Sequence, residues 1–115
     1  MPRRDWRFRI QDISDAIDAI SAYTAGMNFE QSAADRRTVD AVIRNFTTIG
    51  EATAAMPEDV LRANPQIPWA DMRAMRNFVV HQYFAVSDKI LWETAQRDLP
   101  GIVEPLRRLL ESGNA

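Results

Sequence analysis

Apolar residues in this chain recur at steps of three and four, the spacing of one face of a helix. Trp6, Ile10, Ile13, Ile17 and Ile20 form one such stripe, with Asp12, Asp15 and Asp18 on the other side. The pattern predicts an amphipathic helix from Asp5 to Thr24, stopped by Gly26. Residues 27–34 read as a connection with a helical turn. Asp35 is placed to cap a second helix, in which Val39, Val42, Phe46, Ile49, Thr53 and Met56 keep the rhythm until Pro57. Gly50 interrupts this helix, where glycine costs about 1 kcal/mol against alanine. Close packing against another helix or subunit would explain it.

Pro57-Glu58-Asp59 can start a short helix through Arg62, and Asn64-Pro65 and Ile67-Pro68 then break the chain. A third major helix is expected from Pro68-Trp69 through Met72, Met75 and Val79 toward His81. Ser87 or Asp88 can cap a fourth through Ile90, Leu91 and Trp92. Pro100 opens a fifth, with Ile102, Val103, Leu106, Leu109 and Leu110 as its buried stripe. No segment alternates with period two. The expected fold is all-α, an up-and-down bundle of four main helices plus a short extra helix, forming one domain over 1–115.

Composition narrows the function classes. The chain has no cysteine, which removes disulfides and thiolate metal sites and makes the cytoplasm the expected compartment. With one histidine, His81, a zinc site would need several carboxylates, so no metal and no cofactor is expected. No apolar run approaches a membrane span, and the basic start lacks the apolar stretch of a signal peptide. A net charge of −2 argues against a non-specific nucleic-acid coat but leaves room for an RNA enzyme with a local basic patch. Thirteen of the fourteen basic residues are Arg, whose fork binds phosphate bidentately, although a GC-rich genome gives the same bias.

Candidate chemistry gathers in residues 73–84, which hold His81, Tyr83, Arg73, Arg76 and Asn77. RNA cleavage needs a base for the 2′-hydroxyl and an acid for the leaving oxygen, and histidine can serve as either. A fixed guanidinium can stabilise charge on the phosphoryl oxygens. Asn77 could hold a phosphate oxygen or orient His81, and Arg73 is a candidate RNA contact. On a continuous helix Asn77 and His81 share a face, and Arg76 lies about 140° from His81. One histidine per chain leaves the acid–base pair incomplete, which a two-fold homodimer with a composite site would repair. Each group also has a structural alternative: His81 as a helix-end histidine, Arg76 as an ion-pair partner of Asp71 or Asp88, Tyr83 half-buried with its hydroxyl at the rim, Trp69 and Trp92 as core.

Arg76-Asn77-Phe78-Val79-Val80-His81-Gln82-Tyr83 resembles the R-x4-H-x-Y signature of HepT-like proteins in the HEPN superfamily. The surroundings are similar too: Asp12-Ile13, Ala16-Ile17 and Ile20-Ser21-Ala22-Tyr23 in the first helix, Ala41 to Phe46 leading to Ile49-Gly50-Glu51-Ala52 in the second, Pro65 to Trp69 before the motif, and Trp92 and Leu99-Pro100 after it. The resemblance implies a helical dimer that cuts RNA without a metal. Arg76 and His81 would be the catalytic pair and Asn77 a supporting residue, in a cleft between subunits. It also implies a nucleotidyltransferase antitoxin of the MNT type as partner, with Tyr83 as the site where AMP is attached. The added bulk and negative charge beside Arg76 and His81 would block an RNA phosphate. Alternatives of other classes are a non-catalytic helical dimer that binds a nucleotidyltransferase and a nucleotide-binding bundle.

Overall fold

The computed structural model describes residues 5–77 and 88–112, and Val79, His81, Tyr83 and Ser87 lie outside them. The described residues fold as an all-α, HEPN-like bundle with no strand. Helix α1 spans Trp6–Thr24, and the Asp5 side chain accepts a hydrogen bond from the Arg7 N–H at its start. Past its end Gly26 has a φ of 76°, the left-handed conformation that the expected stop requires. The connection contains α2, Phe29–Ala34, with a reciprocal capping box between Asn28 and Gln31. Asp35 caps α3, Arg36–Ala54, accepting from the Arg37 N–H and the Thr38 hydroxyl.

Helix α3 is the hub, packed on α1, α2 and α5 (Trp69–Ala74). Ile10, Ile13, Ile17 and Ile20 of α1 and Val39, Val42, Phe46 and Ile49 of α3 are all buried, as their spacing predicts. Thr53 is fully buried and donates its hydroxyl hydrogen to the Ile49 carbonyl at 2.7 Å, so a polar atom enters the core already satisfied. The short α4 spans Glu58–Ala63, as the proline start predicts. Trp69 belongs to the core, and its indole N–H donates to the Asn64 carbonyl at 2.9 Å, which ties the start of α5 to the end of α4.

Two sequence expectations change in detail. The third helix does not stay α-helical into the motif: α5 ends at Ala74, and Met75–Asn77 form a 3-10 turn. The Met75 N–H already reaches back three residues to the Met72 carbonyl, the tightening common at helix ends. The expected fourth and fifth helices form one limb. Helix α6, Asp88–Glu93, passes into a π turn, Thr94–Asp98, and α7, Pro100–Ser112, follows after Leu99. In α7 the buried stripe is Ile102, Leu106 and Leu109, while Val103 is exposed and Leu110 half-buried. Steps of four and three fit the face turned to α1, and Val103 lies one residue off it. The Gln96 side-chain amide donates to the Thr24 hydroxyl at 2.9 Å, pinning the π turn to the end of α1.

Phe46 has no exposed surface at the centre of this core. Phe46→Ala should cost about 3–5 kcal/mol, read as a lower denaturation midpoint in urea, and Phe46→Asp should prevent folding. An unchanged midpoint for either would mean that the α1–α3 register is wrong.

Candidate active site

The described half of the candidate site is built on one short segment. Pro68 precedes α5, whose Trp69 and Met72 are buried, as is Met75 in the 3-10 turn. Holding these three inward leaves Arg73, Arg76 and Asn77 in solvent. The helix is thus anchored by its apolar side and presents two guanidiniums and an amide on the other. Asp71 in the first turn and Arg73 in the last also suit the helix dipole.

Arg76 is positioned by its backbone. A Cβ added to Gly50 of α3 would lie 2.4 Å from the Arg76 nitrogen, 2.6 Å from its Cβ and 2.9 Å from its Cα. No side chain fits there, so the 3-10 turn sits directly on the α3 backbone. The glycine read in the sequence as a packing glycine serves a neighbouring element of the same chain. The structural alternative for Arg76 fails: among the described residues no carboxylate lies within ion-pair distance of it, Asp71 and Asp88 included. The same holds for Arg73. The Arg7 backbone N–H holds the Asp5 carboxyl below the usual range, and a hydrogen bond from Arg107 does the same for Glu104. His81 and Tyr83 fall outside the described residues, so the described part of the motif brings together Arg73, Arg76 and Asn77 alone. Trp69 is core, as its structural alternative expected, and half-buried Trp92 meets Phe29 edge-on at 6.5 Å.

A feature the sequence reading missed lies on another side of α5. An open cleft of about 550 Å³ is lined by Pro68, Asp71, Ala74 and Met75 around α5 and by Thr94, Arg97, Asp98 and Ile102 of the other limb, with Met72 buried behind it. The second wall is the π turn, which no residue pattern announces. Asp71 was noticed only as a partner for Arg76. The available signal was that Asp71 and Asp98 lack an opposite charge four residues away.

Gly50→Ala should decide how much the close approach matters. Helix propensity alone would raise stability by about 1 kcal/mol. The clash with backbone atoms, which cannot swing aside as a side-chain end could, should instead lower it by about 1–3 kcal/mol. A raised melting temperature for this variant would show that the turn is free to move.

Comparison with known proteins gives the family. The family described as "Ribonuclease HepT-like" matches residues 13–109. A "Probable ribonuclease HepT" of Thermococcus cleftensis is 36% identical over 107 residues, covering 93% of this chain and 97% of that protein. A protein of Methanocaldococcus jannaschii named "Putative RNase" is 32% identical over 111 residues, covering 96% of this chain and 92% of that one. No solved structure matches significantly. The match spans both α3 with Gly50 and the segment carrying Arg76, and by it the chain belongs to the HepT-like ribonuclease family.

Proposed function

We propose that this chain is the toxin of a type II toxin–antitoxin pair, a metal-independent endoribonuclease acting through Arg76 and His81. The observation that carries the reading is Arg76 itself, fixed through its backbone on Gly50 while its guanidinium is left without an ionic partner among the described residues. An arginine held this way is available to an external anion. Family membership and the ribonuclease names of the relatives support RNA phosphate as that anion.

In this reading His81 takes the proton of a 2′-hydroxyl, and the oxygen attacks the adjacent phosphorus. The 5′-oxygen then leaves with a proton, giving a 2′,3′-cyclic phosphate and a free 5′-hydroxyl. Arg76 stabilises the charge that gathers on the phosphoryl oxygens, in the place where other nucleases use a cation. Asn77, next to Arg76 on the same exposed turn, holds a phosphate oxygen, and Arg73 contacts RNA one helical turn earlier. The second His81 needed for separate acid and base comes from a second copy, so the active form is a homodimer with a composite cleft. An MNT-type nucleotidyltransferase antitoxin silences the protein by attaching AMP to Tyr83. The adduct brings negative charge to the place where an RNA phosphate must bind.

The test is cleavage of total and transfer RNA by the purified protein in excess EDTA, with Tyr83 shown by mass to be unmodified. Wild type should cleave. Arg76→Ala should lose ~10²–10³ in rate and His81→Ala ~10²–10⁴, both remaining folded and dimeric. Absence of cleavage by the unmodified wild type would reassign the chain as a non-catalytic partner of a nucleotidyltransferase. Loss of the dimer in His81→Ala would sink the composite site.

A further inference from the structure

The segment that bears Arg76, made of α5 and the 3-10 turn, is held at both ends by groups that stand outside the chemistry assigned above. Gly50 is the seat at the far end, where an added Cβ would lie 2.4 Å from the Arg76 nitrogen. The near end is a knot of hydrogen bonds around Asn64. Its carbonyl accepts from the Ile67 N–H at 3.2 Å and from the Trp69 indole N–H at 2.9 Å. The Trp69 backbone N–H donates to the Ile67 carbonyl at 2.8 Å. The Asn64 side-chain amide donates to the Val60 carbonyl at 2.9 Å, which fastens Asn64 to the end of α4. Ile67 and Trp69 are both buried. A phenylalanine would bury a ring at position 69 as well, but would have no N–H for the carbonyl.

We infer that Trp69 and Gly50 are positioning residues for RNA cleavage: together they set where the Arg76 side chain begins, and the rate depends on both although neither touches RNA. The inference rests on the ribonuclease reading for its reaction and adds the residues that tune it. From Trp69 to Arg76 the chain rises only about 10 Å. So short a helix has little length over which to absorb a displacement, and buried Met72 and Met75 fasten its underside to the core. A shift at either end is therefore carried to Arg76.

The two ends differ in what a substitution does. Ordinary van der Waals contact for a Cβ begins at 3.4 Å, so a methyl group at position 50, 2.4 Å from the Arg76 nitrogen, must push the turn by about 1 Å. A misplacement of that size can cost about 10²-fold in rate, because charge stabilisation depends on where the guanidinium lies when charge develops. Loss of the indole bond leaves the Gly50 seat and the buried ring in place. It loosens the near end without displacing the far one, and its effect is smaller.

The test is a double-mutant cycle on kcat and KM for cleavage of one RNA by the purified, unmodified full chain in excess EDTA. Gly50→Ala should lower kcat about 10²-fold and raise KM no more than Arg76→Ala does. Trp69→Phe should lower kcat several-fold. Leu106→Ala, a fully buried site on α7 against α1, should lose at least as much stability and keep the wild-type kcat at a temperature where all the variants are folded. In an Arg76→Ala background, Gly50→Ala and Trp69→Phe should each change the residual rate by less than about twofold, because the group they position is gone. Additive effects would overturn the inference. So would a wild-type kcat in either single variant, or a loss in Leu106→Ala as large as theirs. If Gly50→Ala does not fold, Trp69→Phe carries the cycle alone. If the unmodified wild type does not cleave, the ribonuclease reading fails separately, and the cycle is read on binding of a 2′-O-methyl RNA strand by fluorescence anisotropy. There Gly50→Ala and Arg76→Ala should weaken binding non-additively. Additive effects, or an affinity that Gly50→Ala leaves unchanged, would overturn the positioning role there too.

Discussion

The contact between Gly50 and the backbone of Arg76 is the constraint on which the described site depends. Helix α3 is buried along one side and therefore cannot retreat, and α5 is anchored by Trp69 and Met72. Between these fixed bodies the turn carrying Arg76 has one seat, defined by the missing Cβ. Long arginine side chains are ordinarily poor at holding a position, because each rotatable bond costs entropy to freeze. Fixing the main chain at its root removes part of that cost before any anion arrives. A glycine that weakens α3 as a helix is thus retained for what it does to a residue 26 positions away.

The periodic parts of the fold were legible because burial is periodic. The stripes of α1 and α3, the Asp35 cap, the Gly26 stop and the proline start of α4 follow from spacing and capping chemistry that act within a few residues. What was not legible depends on neighbours. Nothing local makes Met75–Asn77 tighten into a 3-10 turn or residues 94–98 widen into a π turn. Val103 was assigned to the buried stripe because it is apolar, but the face of α7 turned toward α1 leaves it outside. The site divides in the same way. Arg76 and Asn77 stand out as candidates in the sequence because motif residues are contiguous, whereas the cleft is assembled from α5 and a limb more than twenty residues later, with polar residues that resemble any solvated surface.

The placement of charge also explains how an acidic protein can handle RNA. The net charge of −2 is spread over a surface with several local pairs, such as Arg107 between Glu104 and Glu111 on α7. Those arginines are already committed. Arg73 and Arg76 are not, so α5 and its 3-10 turn carry two uncommitted guanidiniums against the one carboxylate of Asp71. A weak overall charge then limits adhesion to nucleic acid at large while leaving these two guanidiniums open to an anion.

The order of elements along the chain has a consequence for synthesis. Helices α1 and α3 are joined by short connections and bury most of their apolar faces against each other, so they can pair as soon as both have been made. The groove at Gly50 is therefore built from segments that leave the ribosome ahead of the turn carrying Arg76. The candidate site would then mature by docking a later segment onto a platform made from earlier ones, and a truncated product that stops short of α5 would lack Arg76.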